Sequence, residues 1–276
     1  MSFDYNQSVW GQDTAGLSWS HPTAFRLKMS LDALKGLPAG ARILEVGCGG
    51  GQFIRAIKKS LPNSQCYGFD ISRPAIEWAQ TNDKTVDYKL GESNVFPWGD
   101  NFFDAILIFD VLEHVDSVEK TLEEIKRVLK DGGVFYAFIP CEGDPLSIWY
   151  NLRHFKSLDK LTFKYAGHIN RYSKKKWLEI FKRFNFSVTN LYYGEHFFGQ
   201  LVGLTAFYLM DKRAKKQNIT QLNNESYFKS VGKNTITKNI FNLFRNVVNS
   251  LIYLESFFLS KLPSPNVHFF LKNKKL

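Results

Sequence analysis

Between Ala41 and Ile139 five short runs rich in β-branched and aromatic residues, ARILEV, QCYGFD, TVDYKL, FDAILIF and GVFYAFI, alternate with stretches of helical periodicity. No other feature constrains the chain as much. Strands buried on both faces read as near-continuous apolar runs, and a helix between successive strands is what a parallel sheet needs for its crossovers. The spacing predicts helices over Gln52 to Lys59, over Pro74 to Gln80 with Ser72 before them, and over Val118 to Leu129 closed by Asp131-Gly132-Gly133. A further helix, Ala24 to Leu34, is ended by Gly36 and Pro38. After the alternating unit come a loop-helix region (Asp144 to Phe155), a helix from Ser173 to Phe184 with Ser173 as N-cap, and a strand, FSVTNLYY.

The last quarter has a different pattern. In Ile240 to Leu262, helical spacing puts Ile240, Phe244, Val247, Leu251, Leu254, Phe258 and Leu262 on one stripe, with Asn242, Asn246, Asn249, Ser256 and Ser260 opposite. Beyond Pro263 and Pro265, NVHFFLKNKK reads as a final edge strand. The expected organisation is an N-terminal helical cap (1–40), a binding domain (41–194), a helical insertion (195–262) and a terminal strand of the sheet (263–276). The fold class is α/β: a Rossmann-like, doubly wound, mostly parallel seven-stranded sheet with a helical insertion before the last strand.

Charge is unevenly placed. Residues 211–276 hold 12 Lys and Arg against 3 Asp and Glu, so +9 of the net charge of +10 lies there. The apolar run Phe197 to Met210 contains Gln200 and falls short of the roughly 20 residues a spanning helix needs. No basic segment followed by an apolar one opens the sequence, and Cys48, Cys66 and Cys141 suit neither a zinc site nor a disulfide framework. Reduced thiols in a cytoplasmic protein are the expectation.

Chemistry is concentrated in Glu45-Val46-Gly47-Cys48-Gly49-Gly50-Gly51, which follows the first strand and opens the first helix of the alternating unit. Glycines there permit a tight turn and a close ligand. The dinucleotide template G-x-G-x-x-G fails, because the sixth position from Gly47 is Gln52. Glycines at intervals of two make room instead for a nucleoside with a sulfonium-bearing amino-acid tail; a purely structural glycine turn is the alternative. Asp70 ends the second strand, 19 residues after Gly51, where a carboxylate can accept hydrogen bonds from two ribose hydroxyls.

ILEVGCGGGQF, YGFDIS, LGESNVFPWGDNFFDAILIFDVLEHV and RVLKDGGVFYAFIP resemble, in order and spacing, the class I S-adenosylmethionine-dependent methyltransferases, in particular the subgroup with the ubiquinone- and menaquinone-pathway enzymes. The resemblance covers roughly residues 40–193. It implies S-adenosylmethionine as cofactor, with Glu45, Gly47, Gly49 and Gly51 around its methionine moiety, Asp70 on the ribose and Ile71 on the adenine. Glu92, where the family usually has Asp, and the backbone of Ser93 would face the adenine amino group, and Phe109 would line the pocket beside the sulfonium.

Methyl transfer from a sulfonium mainly demands alignment, and a base is needed only when the acceptor must lose a proton. His168, in Gly167-His168-Ile169-Asn170-Arg171-Tyr172-Ser173, resembles the residue of a loop that faces the acceptor in this subgroup, and is the candidate catalytic group; a loop-tying histidine is the alternative. No metal is assigned, although Asp110, Glu113 and His114 at i, i+3 and i+4 form a secondary candidate site. Pro140-Cys141 follows the fifth strand without the other motifs of cytosine-5 enzymes, which argues against a nucleophilic thiol.

The expected function is S-adenosylmethionine-dependent O- or C-methylation of a small, hydrophobic or lipid-linked acceptor. Residues 195–262, apolar with flanking lysines, suit contact with an anionic membrane surface on its inner face, and equally a lid or dimer face whose stripes pack on the catalytic domain. The alternatives are an RNA methyltransferase using the basic tail, though no nucleic-acid-binding motif accompanies the lysines, and a non-catalytic, membrane-associated cofactor-binding module. The oligomeric state is left open.

Overall fold

The computed structural model describes residue 6, residues 9–217 and residues 235–274. In chain order the elements are α1 (Ala24–Ala33), β1 (Arg42–Val46), α2 (Gln52–Ser60), β2 (Gln65–Asp70), α3 (Arg73–Asn82), β3 (Asp87–Leu90), β4 (Phe103–Phe109) and α4 (Val118–Val128). They continue with β5 (Leu129–Pro140), α5 (Ile148–Leu152), α6 (Lys156–Ala166), α7 (Lys174–Arg183), β6 (Phe186–Gly194), α8 (Phe198–Gln217), α9 (Thr235–Phe258) and β7 (Asn266–Asn273).

The seven strands form one sheet in the order β3-β2-β1-β4-β5-β7-β6. β1 pairs in parallel with β2 and β4, β2 with β3 and β4 with β5, while β7 runs antiparallel to both β5 and β6. Strand order reverses at β1, and in open α/β sheets the crevice beyond the strand ends at such a point is where ligands bind.

Alternate side chains along each strand feed the two faces. Leu44, Ile106 and Phe135 join the core under α4 and α7 with Leu122, Ile125, Trp177 and Phe181. Their neighbours Ile43, Leu107 and Tyr136 join the core under α1 and α2 with Leu27, Phe53, Ile54 and Ile57. A third, smaller cluster, Trp149, Leu161, Tyr165, Met210 and Ala214, joins α5, α6 and α8.

Four expectations are corrected. β7 is not at an edge: it lies between β5 and β6, with Val267–Leu271 buried, as a run apolar on both faces requires. Helix α4 ends at Val128, one residue before the expected Leu129, which is already extended and paired with Phe103. Directly after the loop-helix region comes a helix the sequence reading left out, α6, carried by Leu158, Leu161, Thr162 and Tyr165 at helical spacing and stopped by Gly167 in the left-handed conformation (φ 79°).

The fourth concerns the insertion, where the sequence left open whether the stripe packs on the domain or faces outward. The apolar stripe of α9 does not pack on the catalytic domain: Ile240, Phe244, Val247, Leu251, Phe258 and Leu262 are exposed. The side that faces the protein mixes polar residues with Tyr253, which stacks on Trp19 and meets the Phe25 ring edge-on. Ser256 is fully buried and accepts from the Glu195 amide (2.8 Å), Asn249 donates to the Ser20 carbonyl (2.9 Å), and Glu255 accepts from the Phe197 amide (2.8 Å) at the start of α8.

Candidate functional site

One cavity of about 1100 Å³ opens at the C-terminal ends of β1, β2, β4 and β5. This is at the top of the roughly 300–1,000 Å³ range of small-molecule sites, room for a nucleoside-sized ligand and a second molecule beside it.

At one end lies the glycine loop. Gly49 has φ 51°, and a Cβ there would stand 2.6 Å from the Trp10 carbonyl oxygen, so the N-terminal segment closes over the loop and allows no side chain. The Gly50 amide donates to that carbonyl (2.7 Å), and Trp10 and Gly11 line the cavity. Gly47 lines it too, whereas Gly51 stands behind, as the N-cap of α2 against the Tyr88 ring. Glu45 is buried, and its Oε2 accepts from the Ile54 amide in the first turn of α2 (2.7 Å). Burial pushes its carboxyl well above the usual range, against that hydrogen bond.

Asp70 ties this end together. One carboxylate oxygen accepts from the Gly49 amide (2.7 Å) and the other from the Ser72 amide (2.8 Å). Burial raises its pKa while the amides of Ser72 and Gly49 oppose the rise. Each oxygen keeps a lone pair for a hydroxyl donor. Ile71 is exposed and lines the cavity, with Glu92 and Ser93 opposite the loop; Ser93 Oγ lies 3.2 Å from Thr121 Oγ1. Phe109 stacks on Phe53 (3.9 Å between centroids, 8° between planes) and presents an apolar wall. Backbone cradle, paired acceptors and flat apolar surfaces fit a nucleoside with an amino-acid tail.

At the other end the sequence reading missed most of the polar framework. Glu142, buried after β5, accepts at Oε1 from His168 Nδ1 (2.7 Å) and at Oε2 from Arg171 Nε (2.9 Å). The carboxylate thus fixes the imidazole ring and leaves Nε2 as the position that can take a proton. Asn170 holds the loop by donating to the Leu112 and Val115 carbonyls (2.9 and 2.7 Å).

Arg26, from α1, donates to Asp110 (2.6 Å) and Glu195 (2.8 Å), and its guanidinium lies over the Phe138 ring. Burial works against its charge, but the Asp110 and Glu195 carboxylates hold it protonated. Asp110 is therefore engaged, and the metal-compatible group that converges among the described residues is Glu113, His114 and His168, not Asp110, Glu113 and His114. Burial, with Asp110 nearby, pushes Glu113 well above the carboxylate range, and burial with His168 nearby pulls His114 down to about 3. Neither Glu113 carboxylate oxygen has a hydrogen-bond partner among the described residues, and the three ligand atoms of Glu113, His114 and His168 lie within 4.8 Å of one another. Cys141 lines the cavity, but burial raises its thiol pKa and removes the thiolate that nucleophilic attack needs.

Between the two ends the wall is aromatic and small. Trp149, Phe163 and Tyr165 of α5 and α6 face Gly199, Gly203 and Phe207 of α8.

The family model described as a methyltransferase domain matches residues 22–191. The ubiquinone/menaquinone biosynthesis C-methyltransferase UbiE of Desulfotalea psychrophila is 32% identical over 103 residues, 37% of this chain and 42% of that enzyme. The demethylmenaquinone methyltransferase of Symbiobacterium thermophilum is 34% identical over 103 residues, 35% of this chain and 41% of its own length. The chain thus spans less than half of either relative. Among solved structures the [4+2]-cyclase SpnF shares the fold, with a TM-score of 0.59 over 99% of this chain and 85% of that one at 14% identity. With a seven-stranded sheet reversing at β1, a glycine cradle at the switch point and a family match over well over half its length, the chain belongs to the methyltransferase domain family, in the class I, S-adenosylmethionine-dependent group.

Proposed function

We propose that the chain methylates an oxygen or an acidic carbon of a small acceptor with an apolar part, seated between the His168 loop and α8. The observation that carries this reading is the Arg171–Glu142–His168 chain of charge-assisted bonds on the wall of a cavity larger than its cofactor end requires. S-adenosylmethionine supplies an electrophilic methyl group and leaves as a neutral thioether. Glu45 and the Gly47–Gly49 backbone hold the amino-acid tail, Asp70 the ribose, Ile71 the adenine face, and Glu92 with the Ser93 amide its edge. Phe109 excludes water beside the reacting carbon. His168 Nε2 takes the acceptor proton, and Glu142 stabilises the imidazolium that forms.

The aromatic wall of Trp149, Phe163, Tyr165 and Phe207 favours a hydrophobic or lipid-linked acceptor. In this reading residues 1–40 cap the catalytic domain of residues 41–194, residues 195–262 form the acceptor wall and the element that meets a membrane's inner face, and residues 263–276 complete the sheet. No helix among the described residues is long and apolar enough to cross a membrane, so any such contact is peripheral.

The test is calorimetric titration of S-adenosylmethionine and of NAD into the wild-type chain and Asp70→Ala, followed by an acceptor screen with quinol precursors, sterols, lipids and RNA that reads S-adenosylhomocysteine release. Tight binding that Asp70→Ala weakens about tenfold or more, from charge-assisted bonds of roughly 1.5–3 kcal/mol, is expected. Absent binding, or preference for NAD, defeats the reading. Cofactor binding without turnover on any acceptor favours the non-catalytic module, and turnover on RNA the nucleic-acid alternative.

A further inference from the structure

We infer that the outward faces of α8 and α9 seat on an anionic lipid bilayer. The inference rests on the reading of residues 195–262 above and is independent of which atom is methylated. It begins from the orientation of α9. An amphipathic helix that belongs to a soluble core turns its apolar stripe inward. α9 does the reverse: Ser256 and Asn249 bind it to the domain, while Ile240 (64% exposed), Phe244 (65%) and Phe258 (75%) stand in solvent.

α8 also turns apolar side chains to solvent, although its inner side is apolar as well. Gly203, Ala206, Met210 and Ala214 lie on its inner side, the last three buried, and Leu201, Val202, Tyr208 and Leu209 lie on an exposed arc. That arc continues through Lys212 and Lys216, also exposed, at i+3 and i+4 from Leu209 and Lys212. Phe197 and Phe198 extend the apolar surface at the start of the helix. Large exposed apolar side chains on both helices mark an interaction site.

Charge chooses the occupant. The apolar arc of α8 ends in lysines, and residues 211–276 carry +9 of the chain's net +10. Apolar side chains beside a cationic rim match the acyl boundary and headgroups of an anionic leaflet. A second copy of the chain would bring the same lysines against themselves. The inner face of α8 lines the cavity through Gly199, Gly203 and Phe207, so docking places the acceptor compartment one helix diameter, about 10–12 Å, from the bilayer.

The test is co-sedimentation of the full chain with phosphatidylcholine vesicles, with and without phosphatidylserine, at low and high salt. Three forms are compared: wild type, an Ile240→Ser/Phe244→Ser/Phe258→Ser variant and a Lys212→Glu/Lys216→Glu variant. All five positions are exposed, so melting temperature and S-adenosylmethionine affinity stay at wild-type values, which separates failure here from failure of the methyltransferase reading. The expected result is salt-sensitive binding to the serine-containing vesicles that each variant weakens at least tenfold. Equal binding to neutral and anionic vesicles, no vesicle binding, or a sedimentation-velocity dimer that the Ser variant dissociates would each overturn the proposal.

Discussion

The glycine loop and the helical insertion are built by opposite means. At the glycine loop, groups between Glu45 and Ser72 fix the geometry: Glu45 bonds Ile54, Asp70 bonds Gly49 and Ser72, and the loop backbone has no room for a Cβ. At α8 and α9 the ties join residues far apart in the chain, Ser256 to Glu195, Asn249 to Ser20 and Glu255 to Phe197, and the helices keep their apolar stripes outside. The first is over-determined by local backbone. The second rests on a few long-range polar bonds and two small apolar contacts, the Trp149–Leu161–Tyr165–Met210–Ala214 cluster and Tyr253 against Trp19 and Phe25, so it opens at lower free energy than the sheet and is the part suited to admitting an acceptor.

The largest effect belongs to the over-determined end. Gly49→Ala forces an L side chain into a left-handed position, at about 1–2 kcal/mol, and drives its Cβ into the Trp10 carbonyl. S-adenosylmethionine affinity should fall roughly 100-fold, equivalent to about 2.7 kcal/mol, with thermal stability reduced as well. A cofactor affinity within twofold of wild type would break the contrast, because it would show the loop to be as forgiving as the insertion.

Next in size is the positioning residue at the end of the cavity away from the glycine loop. Glu142→Gln keeps the shape but weakens the hold on His168 Nδ1 and Arg171 Nε. We expect kcat to drop about 10–100-fold, the usual cost of losing a charged orienting partner, with KM for S-adenosylmethionine unchanged. A purely structural Glu142 would instead raise KM, lower the melting temperature, or leave kcat alone.

The insertion sharpens the comparison through a pair of opposite substitutions. Ser256→Ala leaves the Glu195 amide without its buried acceptor and should cost about 1–3 kcal/mol, read as faster hydrogen exchange in α9. Phe244→Ser, on the exposed stripe, should stay within about 0.5 kcal/mol. In an ordinary amphipathic helix the order is the reverse, so a costly Phe244→Ser with a harmless Ser256→Ala would sink the outward orientation.

The same contrast explains what could be read in advance. The loop, Asp70 and the alternating strands are legible because strand, turn and helix are contiguous and each residue type has a local reason. Trp10, Arg26, Glu142 and Glu195 were missed since each reaches the cavity from a separate element, and nothing local marks a residue whose partner lies 84 or 169 positions away, as for Arg26 with Asp110 and Glu195. α6 did carry its signal, Leu158, Leu161, Thr162 and Tyr165, as did β7, whose VHFFL run is too apolar for an edge. For α9 the periodicity correctly grouped the stripe, but spacing says which side chains share a face, not which way that face points.

The smallest expected effect lies where α8 meets α6. Asp211 accepts from Lys164 (2.8 Å), Tyr165 (2.8 Å) and Lys215 (2.6 Å). Burial opposes its charge, but those three partners pull its carboxyl down to about 2. A folded pKa below the usual Asp value of about 3.9 means the contribution is complete above that value and is lost as pH falls toward about 2. Hydrogen exchange in α8 should therefore accelerate between pH 4 and pH 2 before the sheet unfolds, and Asp211→Asn should show the faster exchange already at neutral pH. If α8 and the sheet lose protection together in both cases, the insertion is not an independently opening unit, and the difference drawn between the glycine loop and the insertion fails at its weakest joint.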